Sequence, residues 1–242
     1  MSSPRETVRE IATPQGPARA HVCRPARAVG TVVLGHGAGG GLGALDLAVA
    51  REVLVDRGWA VVLVEQPWLV AGRKVAGRPP TLDEAWVPTV QALVSGRGKL
   101  PRPLVVGGRS AGARVACRTA AELDADAALL LSFPLHLPGQ PDKLRAHELA
   151  LAPDPSWVVQ GTNDSFGTPA ELTAYLPVGT TLLEVPGAHS FPRGSRPALV
   201  EALTRVAGML PAQVSLHPTW PPVPRPHPSA PAPRPRPAQR QR

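Results

Sequence analysis

Short, almost uninterrupted apolar runs, each followed by a stretch of helical spacing, recur from residue 30 to residue 210. Strands are read at 30–35, 59–65, 103–107, 127–132, 156–160 and 180–185. Helices are read near 44–57, 81–95, 168–175 and 195–210, with one more from a serine turn at 110 to about 122. A strand wetted on one side alternates apolar and polar residues. Ala127-Ala128-Leu129-Leu130-Leu131 does not, so it is covered on both faces, and strands separated by helices run parallel. Two earlier runs, 7–13 and 18–24, flank Gln15-Gly16-Pro17 and read as a hairpin-like start. The expected class is α/β, a mostly parallel twisted sheet with helices on both faces. Ligands of such sheets sit outside the carboxyl ends of the strands, so the residues just past each strand are where chemistry is sought.

Four segments stand at such ends. Val105-Val106-Gly107-Gly108-Arg109-Ser110-Ala111-Gly112 carries G-x-S-x-G between a strand and an Ala-rich helix. Gly108 and Gly112 leave room for a sharp turn that presents the Ser110 hydroxyl. The turn also sets the N–H of Ala111 at a helix N-terminus, where it can face a developing oxyanion. Trp157 to Gln160 runs into Gly161 and then reaches Asp164; Leu182 to Val185 runs into Pro186-Gly187 and then reaches His189. Ser110 needs a base, His189 can supply it, and Asp164 can orient the imidazole. Alternatively, Asp164 caps its own loop as an Asx turn and His189 is a solvated loop residue. His136, in Phe133-Pro134-Leu135-His136-Leu137-Pro138, is a rival base, and Glu65 a fallback carboxylate.

The fourth segment is Gly35-His36-Gly37-Ala38-Gly39-Gly40-Gly41, a glycine-rich loop after strand 30–35. Bare N–H groups can point into a pocket there. Ala38 is the expected second oxyanion donor, with Gly37 its near alternative. No Lys follows, so the loop is not a P-loop, and Glu65 stands too far on for a dinucleotide fingerprint. His36, Gly37 and Arg109 are expected to border substrate. So are Trp68, Arg73 and Arg78, in a stretch from Gln66 to Pro80 read as a loop overhanging the pocket.

The G-H-G-A-G-G loop, the G-G-R-S-x-G elbow, Gly161 to Asp164 and Gly187 to Phe191 together resemble the α/β-hydrolase superfamily. The similarity is to small dienelactone-hydrolase-like bacterial enzymes, in a subgroup that includes eukaryotic hydrolase-like proteins. It covers roughly residues 5–210. The resemblance implies an eight-strand type of sheet, a serine nucleophile and cleavage of an ester, thioester or lactone. The chain order Ser110, Asp164, His189 is the order of that fold. Ala111 and Ala113 stand where the subgroup often has Met and Gly. A non-catalytic scaffold, or a peptidase or C–C hydrolase on the same three residues, stays open, because fold alone does not fix the bond cleaved.

The chain has 242 residues and a net charge of +8. One domain, 1–210, without a separate lid, is the natural division. Residues 211–242 form a Pro/Arg-rich tail expected to be disordered, because it lacks apolar surface to bury. Arg225, Arg234, Arg236, Arg240 and Arg242 supply five of the eight net charges, so the body carries no basic stripe that specifies nucleic acid. Cys23 and Cys117 are too few for a disulfide framework. No apolar leader, membrane span or metal-ligand spacing is visible. The expectation is a cytoplasmic monomer or homodimer with a small-molecule ester as partner and no cofactor.

Overall fold

The computed structural model describes residues 5–39 and 41–211. The expected arm at 211–242 therefore lies, but for Pro211, outside the described residues. Eight strands form one sheet: β1 (Glu6–Ile11), β2 (Ala18–Cys23), β3 (Thr31–Gly35), β4 (Ala60–Glu65), β5 (Leu104–Arg109), β6 (Ala127–Leu131), β7 (Ser156–Gly161) and β8 (Thr180–Val185). Their spatial order is β1-β2-β4-β3-β5-β6-β7-β8. The first two pairings are antiparallel and the rest parallel. The hairpin-like start thus caps one edge of a parallel sheet.

Among the described residues six α-helices lie between strands, α1 (Leu45–Asp56), α2 (Pro67–Val70), α3 (Pro79–Val94), α4 (Ala111–Thr119), α5 (Ala146–Leu149) and α6 (Pro169–Thr173), and α7 (Arg196–Met209) follows β8. Two separate cores show why the strands read as unbroken apolar runs. Val32, Leu34, Val105, Leu129 and Leu131 join the core under α1 and α7. Their neighbours Val33, Val106, Ala128 and Leu130 join the opposite core under α3 and α4. Successive side chains of a strand point to opposite faces, so a strand buried on both sides has no position for a polar residue.

Three boundaries differ from the sequence reading. The stretch 66–80 holds α2, because Pro67 needs no N–H at a helix start and Gln66 before it is extended. Four residues are too few to display a helical period, and the same holds for α5. Strand β5 runs on to Arg109, pairing Gly108 with Leu130 and Arg109 with Leu131. The elbow helix stops at Thr119 rather than near 122.

The close approach of β3, β5 and α4 explains two glycines of the serine turn. A Cβ on Gly112 would collide with the backbone of Gly35, and one on Gly108 with the carbonyl oxygen of Gly35. Gly108 also sits at φ +152°, where side chains are strained. Gly112→Ala is expected to lower stability by about 1–3 kcal/mol, the cost of overpacking a tight core; chemical denaturation measures it. Cys117 packs on the α4 side of the core, and burial pushes its thiol far above the ordinary range. It behaves there as a small apolar residue.

Candidate active site

Ser110 ends the β5–α4 turn with φ 52° and ψ −111°, a left-handed conformation that costs a non-glycine residue about 1–3 kcal/mol. The surroundings impose it. Its N–H donates to Leu131 O at 2.9 Å, and the Arg114 N–H donates to Ser110 O at 3.2 Å. The side chain is thereby lifted off the sheet's carboxyl edge.

The loops after β7 and β8 are laced together. Thr162 N–H donates to Val185 O at 2.9 Å and Asn163 N–H to Gly187 O at 2.8 Å. That lacing brings Asp164 and His189 side by side. His189 Nδ1 lies 3.0 Å from Asp164 Oδ1 and 2.9 Å from Oδ2, and His189 Nε2 lies 2.9 Å from Ser110 Oγ. A carboxylate only accepts, so Nδ1 carries the hydrogen and Nε2 is left to accept the serine proton. Phe166 stacks on the imidazole with ring centres 4.0 Å apart at 29°.

Asp164 is 1% exposed, and its oxygens are satisfied from several sides. Phe166 N–H donates to Oδ1 at 2.8 Å and the Gln160 amide donates to Oδ2 at 2.9 Å. The bond to Phe166 N–H is the Asx turn entertained from the sequence. The loop-capping and histidine-orienting readings therefore coexist in one carboxylate. Gln160 also donates to Phe133 O and Gly167 O, which holds its amide nitrogen toward Asp164.

Ala111 opens α4 beside the serine, and Ala38 follows β3 in the glycine loop. Among the described residues neither N–H donates to a protein acceptor. Ala38, Ser110 and His189 border a cleft of about 840 Å³, together with Phe166, Ser190 and Arg193.

An alpha/beta hydrolase domain family matches residues 28–202. The chain belongs to the α/β-hydrolase family. Solved structures of the same fold include a serine hydrolase without a lid from Xanthomonas campestris. It is 21% identical with a TM-score of 0.68, over 86% of this chain and 96% of that one. A dienelactone hydrolase from Anabaena variabilis is 19% identical with a TM-score of 0.64, over 86% and 95%. Est1E from Butyrivibrio proteoclasticus with ferulic acid bound is 15% identical with a TM-score of 0.69, over 83% and 98%. At these identities the likeness is one of fold. No curated protein sequence matches the chain.

The remaining residues named from the sequence occupy varied places in this hydrolase. His36 is 3% exposed. Its Nδ1 donates to Gly37 O at 2.8 Å, and its Nε2 accepts from Gln66 N–H at 3.1 Å. Both ring nitrogens are spent, and burial lowers its pKa, so it stays neutral. It pins the glycine loop to the start of α2, and it lines a narrow crevice with Ala38 and Ala111. Gly37 lies over the Arg109 guanidinium, where a Cβ would stand 2.7 Å from Nη1. Arg109 itself is turned inward, donating to His189 O at 2.9 Å and Ser190 Oγ at 2.8 Å. It also lines the cleft beside Ser110 and His189, so these internal bonds stand alongside its expected place at the substrate's border.

Trp68 meets His36 edge-on, with ring centres 5.2 Å apart. With Ala38 and Ala111 it lines a crevice of about 10 Å³, no larger than one water needs. Arg73, Lys74 and Trp68 border a groove of about 440 Å³ that shares Ala38 and Gly39 with the cleft beside Ser110. Arg78 borders none of the three cavities that include Ala38. It is exposed, stands just before α3, and its carbonyl accepts from Thr81 Oγ at 2.8 Å.

The two rival residues are held elsewhere. His136 Nδ1 donates to Leu137 O at 3.0 Å, and its Nε2 faces Glu171 at 3.4 Å. Glu65 lies 3.2 Å from His21. Among the described residues no three His, Cys, Asp or Glu gather to hold a metal ion, and no helix is long and apolar enough to cross a membrane.

Sequence reasoning passed over Phe166, Gln160, Asp46 and Arg193. A signal existed for two of them. Gln160 is a polar residue in an otherwise apolar strand end, Trp157-Val158-Val159-Gln160-Gly161, and Asp46 is a lone carboxylate in the first turn of an apolar helix. Phe166 sits in a loop and Arg193 opens a single 3₁₀ turn, Arg193–Ser195, and the sequence fixes the course of neither.

Proposed function

We propose that this hydrolase cleaves a carboxylic ester, thioester or lactone through a serine acyl-enzyme. The observation that carries the reading is the unbroken relay from Asp164 through His189 to Ser110, with 2.9 Å at either end. Ser110 Oγ attacks the carbonyl carbon while its proton passes to His189 Nε2. Asp164 stabilises the imidazolium so formed. The N–H groups of Ala111 and Ala38 receive the oxyanion, each such donor being worth about 10²–10³ in rate. The imidazolium then protonates the leaving oxygen or sulfur. A water deprotonated by the same histidine attacks the acyl carbon, and collapse of that second tetrahedral adduct frees the acid and the serine.

The test is turnover of short p-nitrophenyl esters together with fluorophosphonate labelling. The wild type turns over and is labelled, and Ser110→Ala is not labelled. Labelling that survives in the variant removes Ser110 as nucleophile, and a wild type inert in both assays leaves the fold as a scaffold.

The cleft also points to the charge of the substrate. Arg193 is exposed on its wall and, unlike Arg109, has no carboxylate partner among the described residues. Arg73 borders an adjoining groove that shares Ala38 and Gly39 with this cleft but not Ser110 or His189, so Arg193 is the cation expected to select an acidic substrate. Arg193→Ala is expected to lower kcat/KM about tenfold for esters with a carboxylate on the acyl chain, the scale of a partly exposed charge-assisted bond. It leaves neutral esters unchanged. A panel matched in acyl length and differing in charge measures it, and equal losses for both classes refute the assignment.

A further inference from the structure

Arg109 stands directly before Ser110 in the G-x-S-x-G turn, and its side chain lies against both the histidine loop and the glycine loop. Nη2 donates to His189 O at 2.9 Å and to Ser190 Oγ at 2.8 Å. Nη1 lies beneath Gly37 of the glycine loop, and Ser110 Cβ is the next atom under that glycine, 3.4 Å from where its Cβ would be. Nε faces Asp46 Oδ2 at 3.2 Å, an ion pair not aligned as a hydrogen bond. Asp46 is 1% exposed, and its other oxygen accepts from Leu47 N–H at 2.9 Å. Burial raises the Asp46 pKa and Arg109 opposes that rise.

A charge pair sealed this deeply is a poor source of stability, because desolvation offsets the attraction. What a planar guanidinium supplies is fixed geometry, with several donors in one rigid fork. Here the fork donates to the histidine loop and packs under Gly37 of the glycine loop, while Asp46 pairs with it from α1.

We propose that Asp46 and Arg109 are positioning residues that hold the His189 and Gly37 loops against the serine turn before substrate arrives. The inference rests on the serine-hydrolase reading and extends it to two residues that need not touch substrate. Lys cannot replace Arg109, since a point charge cannot serve both loops and Asp46 at once.

The variants Arg109→Lys, Arg109→Met, Asp46→Asn and the double Asp46→Asn/Arg109→Met are compared with wild type. The readouts are kcat, KM, the rate of fluorophosphonate inactivation and Tm. Misplacing a reacting group by an ångström costs about 10²-fold, so Arg109→Lys and Arg109→Met are expected to lose about that factor in kcat. KM stays within about twofold, and fluorophosphonate inactivation slows in step. Arg109→Met leaves Asp46 buried without its cation and lowers Tm. Adding Asp46→Asn removes that charge, so Tm recovers while kcat stays low.

Recovery of kcat together with Tm would mean the pair serves stability alone, and the proposal falls. Should Arg109→Met not fold, Ser190→Ala deletes one tie at an exposed side chain, and its expected loss is severalfold in kcat at unchanged Tm. An unchanged kcat there also counts against the proposal. A wild type that neither turns over esters nor reacts with fluorophosphonate sinks the hydrolase reading itself. An active wild type with fully active Arg109 variants sinks only this inference.

Discussion

Replacing Ser110 by Ala is expected to lower kcat for ester hydrolysis by about 10⁶ while leaving the fold in place. The magnitude follows from how serine, histidine and carboxylate act as one unit: losing the nucleophile costs about as much as losing all three. Ser110 is a sound place for the test because its side chain bonds only to His189 Nε2 among the described residues. The backbone bonds that shape the turn, to Leu131 O and from Arg114 N–H, survive the substitution. Stability gives a second, independent reading. Alanine keeps the strained φ of 52°, whereas Ser110→Gly relieves it. The glycine variant is expected to be as inactive as Ser110→Ala but more stable than wild type by about 1 kcal/mol, within the usual cost of such backbone. A gain in stability at the residue whose loss abolishes turnover is the signature of strain retained for chemistry. Steady-state kinetics and chemical denaturation of the two variants decide it. Residual turnover near the wild-type rate would place the nucleophile elsewhere.

The parts legible in the sequence were those carried by local chemistry. Strands β3, β5, β6 and β7 announce themselves because burial on both faces leaves them no polar positions until their ends. The serine turn is legible because Gly108 and Gly112 lie where any Cβ would meet the backbone of Gly35. Histidine and carboxylate could be named because each stands just past a strand end, and parallel strands bring their ends to one edge of the sheet.

What stayed hidden depends on side chains meeting across the fold. His36 and Arg109 sit beside Ser110 in sequence or in space, so both read as substrate contacts. Their internal partners, Gln66 N–H for one and His189 O, Ser190 and Asp46 for the other, come from distant parts of the chain that no spacing links. Arg73, Arg78 and Arg193 are alike as letters. The path of the loop after β8 places Arg193 on the cleft, and no spacing rule encodes that path.

Asp164→Asn supplies the sharpest test of the relay, because it keeps the side chain's shape and changes a proton's address. The Asn side-chain oxygen can still accept from Phe166 N–H, as Asp164 Oδ1 does at 2.8 Å, so the loop keeps its turn. The new amide NH₂ then takes the place of Oδ2, facing both His189 Nδ1 and the Gln160 amide nitrogen. Two donors now meet at Gln160, an unfavourable contact that should cost about 1–3 kcal/mol of stability. At His189 the amide donates to Nδ1, which moves the ring hydrogen to Nε2. The imidazole then presents an N–H to Ser110 Oγ where a lone pair is needed, and it cannot accept the proton. A wrong tautomer of this kind lowers kcat by about 10⁴. Fluorophosphonate inactivation should slow by a similar factor, since the same proton must leave Ser110 in that reaction, while KM changes little. An unchanged kcat would move the carboxylate role away from Asp164. Asp46, a buried carboxylate that lines the cleft, would then be the first place to look.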